Sequence, residues 1–566
     1  MAKDKYTLGL DFGTNSVRAL IVNVRNGHEL AESVIGYRHG KGGILLDPDN
    51  DLLARQHPKD WLTGMEKAVQ AALRGAGKAS KTFCPEDVIG IGVDTTGSTP
   101  LPLDKKGVPL AFHKEFSKNL NAFAWLWKDH TSFAEAEEIT ALARRMRPQY
   151  LSKIGEVYSS EWFFSKILHC QREDRKAFRA AFSWAECSDY IPAVLTGNTD
   201  PLKMKRNVCA AGHKAMYNDN WGLPDERFLA KLAPGLALLR RRLYQVTYTA
   251  DSEAGTLSSF WARRFGLKTG IPVAVGAMDA HMGAVGSGIR TGTLVKIIGT
   301  STCDMMVAPL KQRLPDIPGL CGIVNGSILP GYYGLEAGQS AVGDIFNWYV
   351  THLAPKGLGH EELTKRAKKL RPGQSGILAL DWNNGNRTVL VDPRLSGLIL
   401  GQSLHTRAED VYRALIEATA FGARVIINRF EEYGVKVREV VNCGGISEKN
   451  DLLLQIYADV LDRPMKLARS AQACALGAAM FAAVVAGAKA GGHSNIQQAQ
   501  KAMTGVKKKV FKPIAKNRNV CDQLFFLYME LHDAFGGAKR TARPGVQTRL
   551  ARVMKELLRI KEDASK

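Results

Sequence analysis

The chain has 566 residues, 45% hydrophobic and 23% charged, with a formal net charge of +22. That length exceeds what one hydrophobic core serves, so at least two domains are expected, and the composition is that of a globular protein rather than a disordered or fibrous one. The positive charge is dispersed apart from Lys507–Lys509 and the stretch from Lys539 onward. It comes with no aromatic-interleaved basic strand, recognition helix or zinc finger, so nucleic acid is not an expected partner and an anionic nucleotide or sugar phosphate suffices.

The first element in the chain is TLGLDFGTNSVRALIV, residues 7–22. It reads as strand, tight turn, strand: a hairpin whose tip offers backbone amides to phosphate oxygens. Asp11 ends the first strand, where a carboxylate can hold a magnesium ion beside phosphates. Gly13 permits close approach of the backbone, and Thr14 adds a hydroxyl. The start of the chain, MAKDKYTLGL, has no secretion-type apolar core, which points to a cytoplasmic protein. Pro58 to Leu73 then reads as an amphipathic helix. Ile89 to Val93 reads as an apolar strand ending in Asp94 and a Thr/Gly/Ser turn.

Ile271 to Val275 is a further apolar strand, followed by Asp279. Asp279 admits two roles, an N-terminal cap for the helix it precedes or the group that orients an attacking hydroxyl and accepts its proton. His281 is a supporting residue. The join between halves is expected near Ser287. TLVKIIGTSTCDMMV, residues 293–307, is then a near copy of the first hairpin, with Gly299, Thr300 and Ser301 at its tip. Either hairpin alone is an ordinary turn. The pair implies two similar halves holding one nucleotide between them.

A helix from about Glu409 to Tyr433 is followed by a strand, the Gly444–Gly445 turn and a further helix. That turn is either a simple strand-to-helix link or a flat surface over which adenine can slide. Small residues at Ala475, Gly477, Ala478 and Ala479 favour close helix packing. The apolar window 474–488 is too short to span a bilayer, so no membrane partner is expected. The nine cysteines are scattered and odd in number, which argues for reduced thiols and against disulfides or zinc. The last segment carries an amphipathic helix with Leu550, Val553, Met554, Leu557 and Leu558 on one face. Its expected docking surface is either the C-terminal half or a second copy in a homodimer, and sequence does not decide between them. The whole pattern is α/β.

The segments LGLDFGTNSVRAL, GVDTTGSTP, LWKDHT, AAGHKAMY, AMDAHMGAVG, KIIGTSTCD, GLEAGQSAVGDI, LDWNNGNRT and CGGISEKN resemble the FGGY carbohydrate kinases of the actin-like ATPase superfamily. Thr131 stands where many members carry arginine. The resemblance implies two actin-like (ribonuclease H-like) ATPase domains facing each other across a catalytic cleft. Residues 1–287 would carry the sugar site and base, 288–540 the nucleotide site, and 541–566 a basic helical tail. It implies ATP and Mg2+ as cofactors. Asp279 would be the base. Asp11, Gly13, Thr14 and Asn15 would lie at the metal and phosphates, and Gly299, Thr300 and Ser301 around the transferred phosphate. Gly444, Gly445 and Asn450 would line the adenosine pocket. Thr96, Gly97, Trp127, Asp129, Lys214, Asp279 and Glu336 would form the sugar site. The acceptor it implies is the terminal hydroxyl of L-ribulose, with D-ribulose, xylulose or ribitol as alternatives. A reading from another class is an actin- or chaperone-like ATPase acting on a protein partner. The candidate base and the lack of a separate peptide-binding domain speak against that one.

Overall fold

The computed structural model describes residues 3–537. The expected tail helix around Leu550 lies outside them. Two seven-stranded sheets organise the chain. In the first, the strand Tyr6–Phe12 pairs antiparallel with Ser16–Asn23 and parallel with Val88–Thr95. Ser16–Asn23 pairs onward with Glu29–Gly36, while Val88–Thr95 pairs in parallel with Pro272–Ala274 and Ala277–Met278.

The second sheet repeats this plan. Thr293–Ile298 pairs antiparallel with Thr302–Pro309 and parallel with Glu439–Cys443. Thr302–Pro309 continues to Tyr332–Ala337, and Glu439–Cys443 continues in parallel to Met465–Ala468. Each half is therefore a hairpin beside parallel strands, as the paired turns predict. Tyr6–Phe12 is buried along its whole length and Val88–Thr95 at every position but Ile89, because both faces are covered. Pro58–Ala79 covers one face with Trp61, Met65, Ala68, Val69 and Ala72. Pro58 opens it in the first turn, and the His57 side chain accepts a hydrogen bond from the Lys59 N–H.

One region has elements with no clear signature in sequence. Residues between Leu110 and Leu243 build their own core of short helices, with Trp125, Tyr158, Phe163, Phe164, Trp184 and Phe228 at its centre. Its helices, such as Phe163–Glu173, Val208–Lys214 and Glu226–Leu232, are mostly too short to show a helical period in sequence. This layer forms the wall beyond the first sheet.

The halves share a core in which Leu20, Val22 and Met282 pack with Met480, Phe481 and Met503, and at its centre the backbones come into direct contact. The helix Ala473–Ala486 lies on the first sheet. A Cβ at Gly9 would stand 1.9 Å from the Ala475 carbonyl, and one at Gly92 would stand 1.9 Å from that of Ala478. The same helix packs on Asp279–Gly286, where a Cβ at Gly477 would lie 2.0 Å from the Met282 carbonyl. The small residues at Ala475, Gly477, Ala478 and Ala479 thus serve packing. Among the described residues no helix is long and apolar enough to cross a membrane.

Gly92→Ala should therefore lower the unfolding free energy by about 1–3 kcal/mol or more through overpacking. Gly77→Ala, where an added Cβ meets nothing within 4 Å, should leave it unchanged or slightly raised. Urea unfolding of the two variants side by side checks this, and equal midpoints would refute the close-contact account.

Candidate active site

The parallel register sets Asp11 opposite Asp94 and Asp94 opposite Ala277, two residues before Asp279. Three carboxylates are thereby gathered at neighbouring strand ends. Arg18 Nη1 donates to Asp11 Oδ2 at 2.7 Å. Asp94 is fully buried, and neither carboxylate oxygen has a hydrogen-bond partner. Burial, then the charges of Asp11 and Asp279, push its pKa well above the carboxylate range. A buried carboxyl pair short of positive charge is a donor set that suits a hard divalent cation. The implied magnesium fits these residues, with Asp94 joining the expected Asp11.

Asp279 opens the helix Asp279–Gly286 and accepts from the Ala280 N–H at 2.7 Å. The residue is half-buried, so it combines an end-of-helix contact with some exposed surface. Burial, then the Asp11 charge, raise its pKa to about 7. A half-buried carboxylate with that affinity can accept a proton near neutrality.

Lys214 ends the helix Val208–Lys214 in the first half. Glu336 lies in the strand Tyr332–Ala337 of the second. Lys214 Nζ donates to both Glu336 oxygens at 3.0 and 3.1 Å, so the ion pair spans the two halves. His213 Nδ1 stands 3.2 Å and His281 Nε2 3.8 Å from Glu336 Oε2. Burial raises the Glu336 pKa, but Lys214, His213 and His281 outweigh it and hold the carboxyl far below its usual range. Burial also lowers His281 to about 4, so it stays neutral beside the pair.

At the hairpin tips, Gly13 N–H donates to Ser16 O and Gly299 N–H to Ser301 O, each at 2.9 Å. These two amides close the turns. Among the described residues none accepts from the amides of Thr14, Asn15, Thr300 or Ser301, so the open donors lie just beyond the glycines. An added Cβ at Gly299 would meet only Ser301 O, at 3.9 Å, which leaves room for an anion at that tip. Cys303 follows the tip and is unpaired. Burial raises its pKa to about 12, and Asp279, Glu336, Lys214 and Arg387 all act on it, which sets the second hairpin beside the cleft.

The remaining predicted residues fall into two groups. Trp127 Nε1 donates to Thr14 Oγ1 at 3.0 Å, tying the Trp127 loop to the first hairpin. Thr96 lies under the loop with its hydroxyl 3.0 Å from that of Thr99, and Gly97 packs on Met278. Gly444 takes φ +99° against the Ile298 carbonyl, and Gly445 is open. Asn450 Oδ1 caps the helix Asp451–Leu461 by accepting from the Leu453 N–H at 3.0 Å. Asp129 faces inward: its Oδ2 accepts from Ala54 N–H, its Oδ1 from the Thr131 hydroxyl, and Arg55 lies against it. Those bonds occupy its carboxylate within the scaffold.

Three features went unassigned in sequence. His213 was visible only as the neighbour of Lys214. Arg387 lies 3.6 Å from Glu161, and Glu161, Cys303 and Glu336 outweigh burial to hold its charge. Lys166, buried in an apolar helix, donates to the carbonyls of Ser98, Trp125 and Leu126, while Glu186 accepts from Ser98 Oγ and Thr99 N–H. A lysine inside the apolar run FFSKIL was the available signal.

Lys214→Met should destabilise the fold by about 3 kcal/mol. That is the lower end for a broken buried pair, because His213 and His281 can take up a proton beside Glu336. The double variant Lys214→Met/Glu336→Gln should recover most of the loss. Chemical denaturation of the cycle decides, and a double variant less stable than Lys214→Met would refute the pairing.

Residues 6–286 match the N-terminal domain of the FGGY family of carbohydrate kinases, and residues 294–486 match its C-terminal domain. The chain is 42% identical over 551 residues to a ribulokinase of Shouchella clausii, covering 94% of this chain and 95% of that one. It is 40% identical over 549 residues to a ribulokinase of Mycolicibacterium smegmatis, covering 94% of each. The fold is that of a xylulose kinase from Rhodospirillum rubrum, with TM-score 0.74 at 21% identity over 94% of this chain and 99% of that one. A gluconate kinase from Lactobacillus acidophilus shares it, with TM-score 0.76 at 17% identity and the same coverages. With both halves matched and the hairpin-bearing sheets in place, this chain belongs to the FGGY family of carbohydrate kinases.

Proposed function

We propose that the protein transfers the γ-phosphate of ATP to the 5-hydroxyl of L-ribulose. Residues 1–287 supply the acceptor side and the base, and 288–540 the nucleotide side. The observation that supports this reading is the meeting of Asp279 with the Lys214–Glu336 pair in one cleft. The similarity to ribulokinases over 94% of the chain supports the choice of acceptor. Lys214 offers donors and Glu336 acceptors, the complement of a polyol. Thr96 and Gly97 floor that side, and Trp127 covers it.

Asp279 accepts the proton of the terminal hydroxyl as its oxygen attacks phosphorus. The bond from phosphorus to the β,γ-bridging oxygen breaks, ADP leaves, and the proton passes from Asp279 to solvent. The open amides of Thr14, Asn15, Thr300 and Ser301 donate to phosphoryl oxygens, where charge is spread in the transition state. Asp11 and Asp94 would hold the magnesium ion, which when bound supplies positive charge beside the phosphates. Gly444 and Gly445 present a side-chain-free surface to the adenine, with Asn450 at its border. Closing of the halves excludes water and so limits ATP hydrolysis.

A coupled ADP-release assay over ketopentoses, pentoses and pentitols should give the highest kcat/KM with L-ribulose. A higher value with xylulose or ribitol would overturn the acceptor while leaving the kinase. Asp279→Asn should keep ATP binding and lose turnover by roughly 10²–10⁴-fold. Near-normal turnover in the folded variant would remove Asp279 from the base role. Since the base acts deprotonated and its pKa is raised to about 7, kcat/KM for the sugar should fall about tenfold per pH unit below that point and level off above it. A profile flat from mildly acidic to neutral pH would contradict the assignment.

A further inference from the structure

A chain of buried polar groups runs from the helix Ala515–Gly536 to the second hairpin. Tyr528 OH donates to Asp381 Oδ1 at 2.7 Å, and Gln339 Nε2 donates to Asp381 Oδ2 at 2.7 Å. Lys296 Nζ donates to Gln339 Oε1 at 3.0 Å and to both oxygens of Asp304 at 2.8 and 2.9 Å. All five side chains are buried, Tyr528 completely. Lys296 and Asp304 lie on the two strands of the hairpin, on either side of its tip.

The backbone around Gln339 holds the tip itself. Gln339 N–H donates to Thr302 Oγ1 at 3.0 Å, and Thr302 N–H donates to Gln339 O at 3.1 Å. Just downstream, Val342 N–H donates to Thr300 O at 2.8 Å and Gly343 N–H to Gly299 O at 3.2 Å. The Gln339–Gly343 segment thus grips both ends of the Gly299–Thr302 turn. The cavity beside Gln339, Asp381 and Tyr528 measures about 10 Å³, room for one water at most. No ligand enters there, so the network holds rather than recognises.

We infer that Tyr528, through Asp381 and Gln339, is a positioning residue for ATP, setting the amides of Thr300 and Ser301 toward the transferred phosphate. The inference rests on the reading that the second hairpin cradles that phosphate. Without the phenol, Asp381 Oδ1 loses its partner, and its carboxylate is free to turn away from Gln339. Gln339 would then hold Thr302 less firmly, and a donor displaced by a fraction of an ångström loses its alignment. No side-chain hydrogen bond joins Lys214 or Glu336 to this network; Glu336 touches it only through the backbone pairing of its strand with Thr302–Pro309, so the acceptor side should change little.

The test is steady-state kinetics of the full chain. Tyr528→Phe should raise KM for ATP about fivefold to twentyfold and leave KM for the sugar within about twofold. The isosteric Asp381→Asn should give the same selective rise, and it stands in if Tyr528→Phe folds poorly. Tyr528→Phe combined with Gln339→Met should bind ATP no worse than Gln339→Met alone, since both act along one path. An unchanged ATP constant, or ATP and sugar constants rising together with a falling melting temperature, would overturn the inference. Gly299→Val separates it from the nucleotide reading. If Gly299→Val binds ATP normally, both fall. If it loses ATP affinity while Tyr528→Phe does not, only the Tyr528 role falls.

Discussion

Backbone contact between the two halves is the constraint on which the site depends. The helix Ala473–Ala486 belongs to the second half by sequence, yet it lies on the strands Tyr6–Phe12 and Val88–Thr95 of the first. Gly9, Gly90 and Gly92 let its carbonyls reach the sheet, and Gly286 and Gly477 let it seat against the Asp279 helix. Side chains of ordinary size would push the halves apart. Packed interiors do not deform continuously, so this contact fixes the distance from the carboxylate strand ends to the second hairpin.

Electrostatics at the site is costly by construction. Asp11, Asp94 and Asp279 are brought together with Arg18 as the neighbouring cation on Asp11. Such a cluster destabilises the empty site, since carboxylates in low dielectric repel and are poorly solvated. The same arrangement favours a divalent cation and raises the proton affinity of Asp279, which ties the cost to the chemistry. Other buried charges are compensated by a partner. Lys214–Glu336, Lys296–Asp304 and Arg413–Glu417 each bring opposite charges within hydrogen-bond reach.

Family membership and acceptor choice rest on different parts of the molecule. The paired hairpins, the parallel strands beside them and the glycine contacts belong to the kinase scaffold. The acceptor side proposed above draws on the helical layer from Leu110 to Leu243, which carries Trp127 and Lys214. Lys166 holds the carbonyls of Ser98 and Trp125, and Glu186 holds the Ser98 hydroxyl and the Thr99 N–H, so the loops there depend on buried charges.

By itself the sequence determined the two halves, the hairpins and the carboxylates at strand ends. These are local: apolar runs, glycine turns and a terminal aspartate lie within a few residues of one another, so the order of residues specifies them. Even there the amides needed coordinates, because only the turn geometry shows Gly13 and Gly299 donating inside the turn. The tertiary structure decided what distant segments do together. Asp129 reads like a sugar ligand, but Ala54, Arg55 and Thr131 surround its carboxylate. Asp94 joins Asp11 through strand register, and Lys214 meets Glu336 across 122 positions. Gln339 meets Asp381 and Tyr528 through the packing of separate elements. Such pairings carry no periodic or local signature, since they depend on how whole elements stack, and packing of those elements against one another is what sets them.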